Sequence, residues 1–181
     1  MSTKGQEILS VFQYVQQVFK ETQRILLKMD NLMGPEWKTV YGNRITKEVT
    51  SSLVDPERWL VEAVFRIYEA QNPLINKGIT ITFWGDIEEP IITAGMLVYS
   101  DIKSRDHWDL WNSWFTWNPN EEAKKVLDGR EVKYKPDEDN NITEVHVFSL
   151  PLVALENDID VESKIFRPLE RLSLRYRDTR G

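Results

Sequence analysis

Apolar and polar positions change period twice along this chain. From Thr3 to Met33 apolar residues return every seven positions. One series is Ile8, Val15 and Met29, with Thr22 in the same place. A second is Val11, Val18, Ile25 and Leu32, and a third is Phe12, Phe19, Leu26 and Met33. These are positions a, d and e of a heptad, and they predict one long helix with an apolar stripe about three-sevenths of its circumference wide. Thr3 followed by Gln6 predicts a capping box at its start, and Gly34-Pro35 predicts its stop. A stripe this wide suits a helix laid across a sheet better than a narrow a/d seam does. The seven-residue spacing also allows pairing with the same helix of a second copy, so a homodimer through this helix is the alternative.

Further on the period drops to two. Ile79, Ile81 and Phe83 alternate with Thr80, Thr82 and Trp84, and Ile92, Ala94, Met96 and Val98 answer them across Gly85 to Glu89. That is a β-hairpin. Trp59, Val61, Ala63, Phe65 and Ile67 alternate as well, although Asp55-Pro56-Glu57 ahead of them is a helix-start signal. We read 59–68 as a strand, joined to the hairpin through a turn-like segment from Gln71 to Gly78 to make a meander. Trp37 to Val40 reads as a short strand, and 45–54 as a loop or edge strand. Val132 to Tyr134 and Ile142 to Leu150 form a second hairpin around 136–141. Residues 107–115 read as a helix with Trp108, Trp111, Trp114 and Phe115 on one face, and 121–127 as a short one. A C-terminal helix starts at Asp158 or Asp160 and runs through Ile165, Phe166, Leu169 and Leu172, with Pro168 as a kink. The expected fold is α+β, one domain over residues 1–181: an antiparallel sheet of about five strands, covered by a long N-terminal helix, a Trp-rich helix and a C-terminal helix.

Charge narrows the class of partner. The chain carries a net −6, unevenly placed. From Lys164 onward six basic residues face Glu170 and Asp178, a balance of +4, so the first 163 residues sum to −10. An acidic body disfavours nucleic acid, whose capture rests on neutralising phosphates. Arg167, Arg171 and Arg175 form a stripe on the last helix that would suit an anion or an acidic protein partner. There is no cysteine, which excludes disulfides and thiolate chemistry and fits a cytoplasmic protein. No signal-peptide pattern opens the sequence, and no apolar run approaches the ~18 residues of a membrane span, so no membrane partner is expected.

Catalytic templates are mostly missing. The sequence contains no G-x-x-x-x-G-K-[ST], no G-x-G-x-x-G, no G-x-S-x-G and no H-E-x-x-H, and its histidines are His107 and His146 alone. No cofactor and no metal site are expected on these grounds. Acids do gather at Asp86, Glu88 and Glu89 and again at Asp101 and Asp106 beside His107. A metal-assisted hydrolase or nucleotide-processing enzyme is therefore the alternative reading. A straight arm would hold Glu89 and Asp101 roughly 35–40 Å apart, which weighs against it.

Tryptophan is the unusual feature, with seven residues, four of them between Trp108 and Trp117. Indoles at helical spacing commonly pack a core, yet an exposed row stacks on a sugar, a base or a cation. Trp108, Trp111 and Trp114, with His107 and Asp101, are the candidate ligand-binding residues. The expected function is a non-catalytic binding or regulatory module that recognises a protein partner or a small-molecule ligand through an aromatic patch.

Overall fold

In the computed structural model, which describes residues 3–42, 44–47, 54, 56–137 and 141–178, the alternating segments join in one antiparallel sheet. Its long strands are β3 (Ala63–Glu69), β4 (Ile75–Thr82), β5 (Ile91–Tyr99) and β7 (Ile142–Pro151). The short strands are β1 (Lys38–Thr39), β2 (Thr46–Lys47) and β6 (Val132–Tyr134). The order is β1-β3-β4-β5-β7-β6, with β2 also paired to β3. The helices are α1 (Lys4–Met33), α2 (Asp109–Phe115), α3 (Glu121–Lys125), α4 (Asp158–Asp160) and α5 (Arg167–Asp178). The α+β class with an antiparallel sheet stands, and two-residue strands raise the strand number above the expected five.

Both faces of the sheet are covered. On one, Ile25, Leu26, Met29 and Met33 of α1 join Val161, Ile165, Leu169 and Leu172 against Val64, Tyr68, Ile79, Ile81, Ile92, Ala94 and Phe148. On the other, Leu110 and Trp114 of α2 cover Leu97, Tyr99, Val145 and Val147. Polar alternation along the central strands therefore marks no wet side: all nine residues of β5 are buried.

A charged clamp fixes α1 to its face. Arg66, itself buried, gives Nε to Asp30 Oδ1 at 2.9 Å and Nη2 to Asp30 Oδ2 at 2.5 Å. Its remaining nitrogen donates to the Gly42 and Arg44 carbonyls, and the Tyr68 hydroxyl donates to Asp30 at 2.8 Å. A bidentate pair with its other donors satisfied is the arrangement in which a buried charge is tolerable.

Several boundaries differ from expectation, for traceable reasons. β4 begins at Ile75, inside the segment read as a turn, because Asn76 and Lys77 find distant partners. Asn76 accepts from Arg105 at 3.0 Å, and the Lys77 ammonium lies 4.2 Å from the Trp37 ring centre and 3.6 Å from Glu170. Trp59 is not in a strand: Pro56–Trp59 make a 3-10 turn, as their proline start suggested, and the strand opens at Ala63. The hairpin connection spans 83–90 rather than five residues, and His107 and Trp108 precede α2 instead of opening it. Of 45–54, Thr46–Lys47 pair with β3, while 48–53 lie outside the described residues, as do 138–140 of the second hairpin's loop. Pro168 is absorbed by a π-helical turn, Val161–Phe166, just ahead of it. Proline has no N–H for the preceding turn and its ring crowds a carbonyl there, and a wider turn relieves both.

The long helix departs most from expectation. Its stripe packs on the sheet over Thr22 to Met33 and runs off the end where Phe19 meets Phe83 edge-on, ring centres 5.5 Å apart. Beyond that point Ile8, Leu9, Val11, Phe12 and Tyr14 are 57–73% exposed. Half of α1 projects past the domain.

Candidate functional site

Two glycines set where the tryptophan helix can sit. Gly78 and Gly95 are direct partners across β4 and β5, and Leu110 of α2 rests on the bare backbone they leave. A Cβ on Gly95 would lie 2.5 Å from the His146 carbonyl oxygen and 2.9 Å from Leu110, while one on Gly78 would lie 3.1 Å from Leu110. The helix is thus seated lower than side chains at those positions would allow. Its approach is fixed by Asp109, whose Oδ2 accepts from the Tyr99 hydroxyl and the Asp106 N–H, each at 2.8 Å, and by Asp106 capping Trp108 N at 2.9 Å.

Seated this way, α2 and the Trp108 just ahead of it continue a chain of rings that starts at Phe65 on β3. Phe65 meets Trp108 at 4.9 Å, Trp108 meets Trp111 at 5.2 Å and Trp111 meets Phe115 at 4.5 Å between centres. Opposite stands the 83–90 connection, pinned by Trp84, whose Nε1 donates to the Val61 carbonyl at 3.1 Å. Gly85 turns the chain there with φ +123°, a conformation other residues rarely adopt. Between helix and connection lies a cleft of about 970 Å³, with Thr82, Ile91 and Trp114 at its floor, Trp84, Trp111 and Phe115 on its walls and α3 closing one side. A volume near 1,000 Å³ with convergent aromatic walls is at the upper end for a small-molecule site.

Two of the residues that line this cleft each carry a buried polar atom without a hydrogen-bond partner among the described residues. They are Thr82 Oγ1 and Trp111 Nε1. An uncompensated buried polar group costs roughly 1–3 kcal/mol, so two of them on the lining of one cleft are unusual. The rim is acidic, with Glu62, Asp86, Glu88, Glu89 and Glu121 facing Lys124 and Lys125, and Lys124 is tied to Glu121 at 2.7 Å.

No known protein family, curated protein or solved structure matches the chain.

Of the residues singled out by sequence, Trp111 and Trp114 line the cleft, Trp114 deep in its floor. Trp108 lies one ring further back, against Phe65. His107 also packs on Phe65, at 5.1 Å, and pairs with Asp106 at 3.0 Å. Asp101 caps the short turn Ile102–Ser104. Neither His107 nor Asp101 lines the cleft. Of the acids, Asp86, Glu88 and Glu89 reach it, but β5 runs unbroken from Ile91 to Tyr99 and keeps Asp101 and Asp106 at its far end. Among the described residues no three histidine or acidic side chains gather to hold a metal ion. Sequence reasoning missed Thr82, Trp84 and α3. The signal for Thr82 was a threonine pair, Thr80 and Thr82, on the tryptophan side of a buried strand.

Elsewhere several charged groups engage one another. Arg167 pairs with Glu162 at 2.9 Å, Arg171 is exposed one turn on, and the Arg175 side chain lies outside the described residues. His146 is buried between Glu131 and Glu144, each 2.7 Å from one ring nitrogen. Burial would raise the Glu144 carboxyl, but hydrogen bonds from Lys133 and His146 outweigh it and hold the group below its ordinary value. Asp109 goes the other way: burial lifts it despite the bonds from Asp106 and Tyr99. It faces a second, shallower cleft of about 570 Å³ on the other flank of α2, with Trp117 and Tyr134.

Proposed function

We propose that the protein is a non-catalytic binding module whose aromatic cleft takes a small ring-shaped ligand rich in hydroxyl groups, of the carbohydrate type. The observation that carries this reading is the pair of buried atoms without a partner among the described residues, Thr82 Oγ1 and Trp111 Nε1, on residues lining a cleft walled by indoles. An indole N–H can only donate, the rim carboxylates can only accept when ionised, and a threonine hydroxyl does both. A ligand hydroxyl also does both, so one polyhydroxylated ring can accept from Trp111 and donate to the rim acids. A simple ammonium satisfies the acids but offers Trp111 nothing. The apolar face of such a ring would stack on the indole walls. The lack of cysteine supports a reducing, cytoplasmic setting, and among the described residues no helix is long and apolar enough to cross a membrane.

Tryptophan fluorescence tests the assignment. The protein would be titrated with a panel of mono- and disaccharides, nucleosides and choline, and one polyhydroxylated compound should quench saturably. Trp111→Leu and Thr82→Val should each weaken it by about tenfold or more, since each removes one directed hydrogen bond or stacking surface. Saturable binding of choline alone, or sugar binding untouched by both substitutions, would overturn the reading.

A further inference from the structure

We infer that two copies of this chain associate by laying the projecting half of each α1 into a groove on the other. The projecting half is built to be covered. Residues 8–19 carry no charged side chain, and Ile8, Leu9, Val11, Phe12 and Tyr14 stand exposed on it. A helix of that length without packing is marginal in water. Here both capping-box bonds are formed, Gln6 N to Thr3 Oγ1 at 3.3 Å and Thr3 N to Gln6 Oε1 at 2.9 Å.

The same chain carries a matching receptor. A groove of about 630 Å³ runs beside the packed half of α1, from Gln16 to Asp30, walled by Phe19, Leu26, Leu27, Ile45, Val61 and Val64. At 1.5 Å per residue the groove is about 21 Å long, and the projecting segment 4–17 is about 20 Å. Rod and groove lie end to end on one helix, so an antiparallel pairing about a twofold axis puts each rod in the other copy's groove and closes the assembly at two. Five apolar side chains some three-fifths exposed offer about 500 Å² on each rod. With the grooves matched, the two contacts would bury roughly 2,000 Å², the size of a permanent dimer interface. A partner of other sequence would have to supply both shapes at the same spacing; a second copy has them already.

Sedimentation velocity from about 1 to 100 µM tests this. The wild type should be a dimer. Phe12→Lys on the rod and Leu27→Glu in the groove, both at exposed positions, should each weaken dimerisation by roughly thirtyfold or more while far-UV circular dichroism stays unchanged. Mixed together, the two variants should recover a heterodimer, because one rod and one groove remain intact and the altered pair are of opposite charge. A wild type that is monomeric at the highest concentration overturns the inference. So does a dimer lost with Phe12→Lys yet indifferent to Leu27→Glu, since that result would mean rods pair with rods.

Discussion

Replacing Thr82 by valine gives a sign as well as a size. Thr82 is fully buried and its hydroxyl has no partner among the described residues, as is also true of Thr80 two residues earlier on the same face. Valine has the same shape without the hydroxyl. A buried, unmatched hydroxyl costs roughly 1–3 kcal/mol, so removing one should stabilise the protein by about 1 kcal/mol, a rise in melting temperature of about 2–4 °C for a chain this long. Thr93 supplies the opposite case. It is equally buried, but its Oγ1 shares a 2.6 Å hydrogen bond with Ser149 Oγ. Thr93→Val therefore leaves Ser149 unmatched and should cost roughly 1–3 kcal/mol. Thermal and urea unfolding of Thr80→Val, Thr82→Val and Thr93→Val would be compared, with ligand titration alongside. Thr80→Val and Thr82→Val should both gain stability, and Thr82→Val alone should lose binding. A Thr82→Val protein destabilised as much as Thr93→Val would refute the claim that this hydroxyl is held idle for a ligand.

Other substitutions probe the frame. Gly95→Ala forces a methyl against the His146 carbonyl and Leu110, and should cost about 1–3 kcal/mol in urea unfolding while loosening α2 and weakening ligand capture. Gly78→Ala meets the flexible Leu110 tip at 3.1 Å and the Arg66 carbonyl at 3.4 Å, both less tight than the 2.5 Å contact at Gly95, and should cost less. Asp30→Ala strands the buried Arg66 and should cost about 3–5 kcal/mol, seen in the same assay. Asp109→Asn reads out in pH. Its carboxyl is raised by burial, so its contribution to stability is complete below the ordinary aspartate value of about 3.9 and is lost as pH rises through the higher folded value. The asparagine oxygen can still accept from Tyr99 and Asp106 without carrying a buried charge. The variant should therefore gain on the wild type as pH rises from about 4 through the raised folded value of this carboxyl; a difference that stays constant with pH would count against the assignment.

Local chemistry was legible where neighbours in sequence decide it. The capping box at Thr3 and Gln6, the end of α1 at Met33 and the hairpin across Gly85 all follow from residues a few positions apart. The ambiguity before Ala63 was genuine: proline rules at Pro56–Trp59 and alternation rules after it, so both signals describe a piece of the same stretch. What escaped was set by distant partners. Asn76 and Lys77 look like turn residues until Arg105, Trp37 and Glu170 are folded against them. Trp111 and Trp114 could be nominated from spacing alone. Thr82 could not, because its importance comes from what it fails to bond, and sequence does not record that. The heptad foretold the stripe on α1 but not that the sheet would be shorter than the helix.

The glycine pair beneath Leu110 carries a consequence for how this cleft can vary. Because the height of α2 above the sheet is fixed at Leu110 by main chain rather than by replaceable side chains, the level at which Trp111 and Phe115 wall the cleft resists gradual change. Chains of this architecture could exchange Trp84, α3 or the rim acids and so hold different guests at one unchanging level, like new fittings around the same shelf. A shift in that level would instead require abandoning a glycine, and with it the seat of the whole aromatic row.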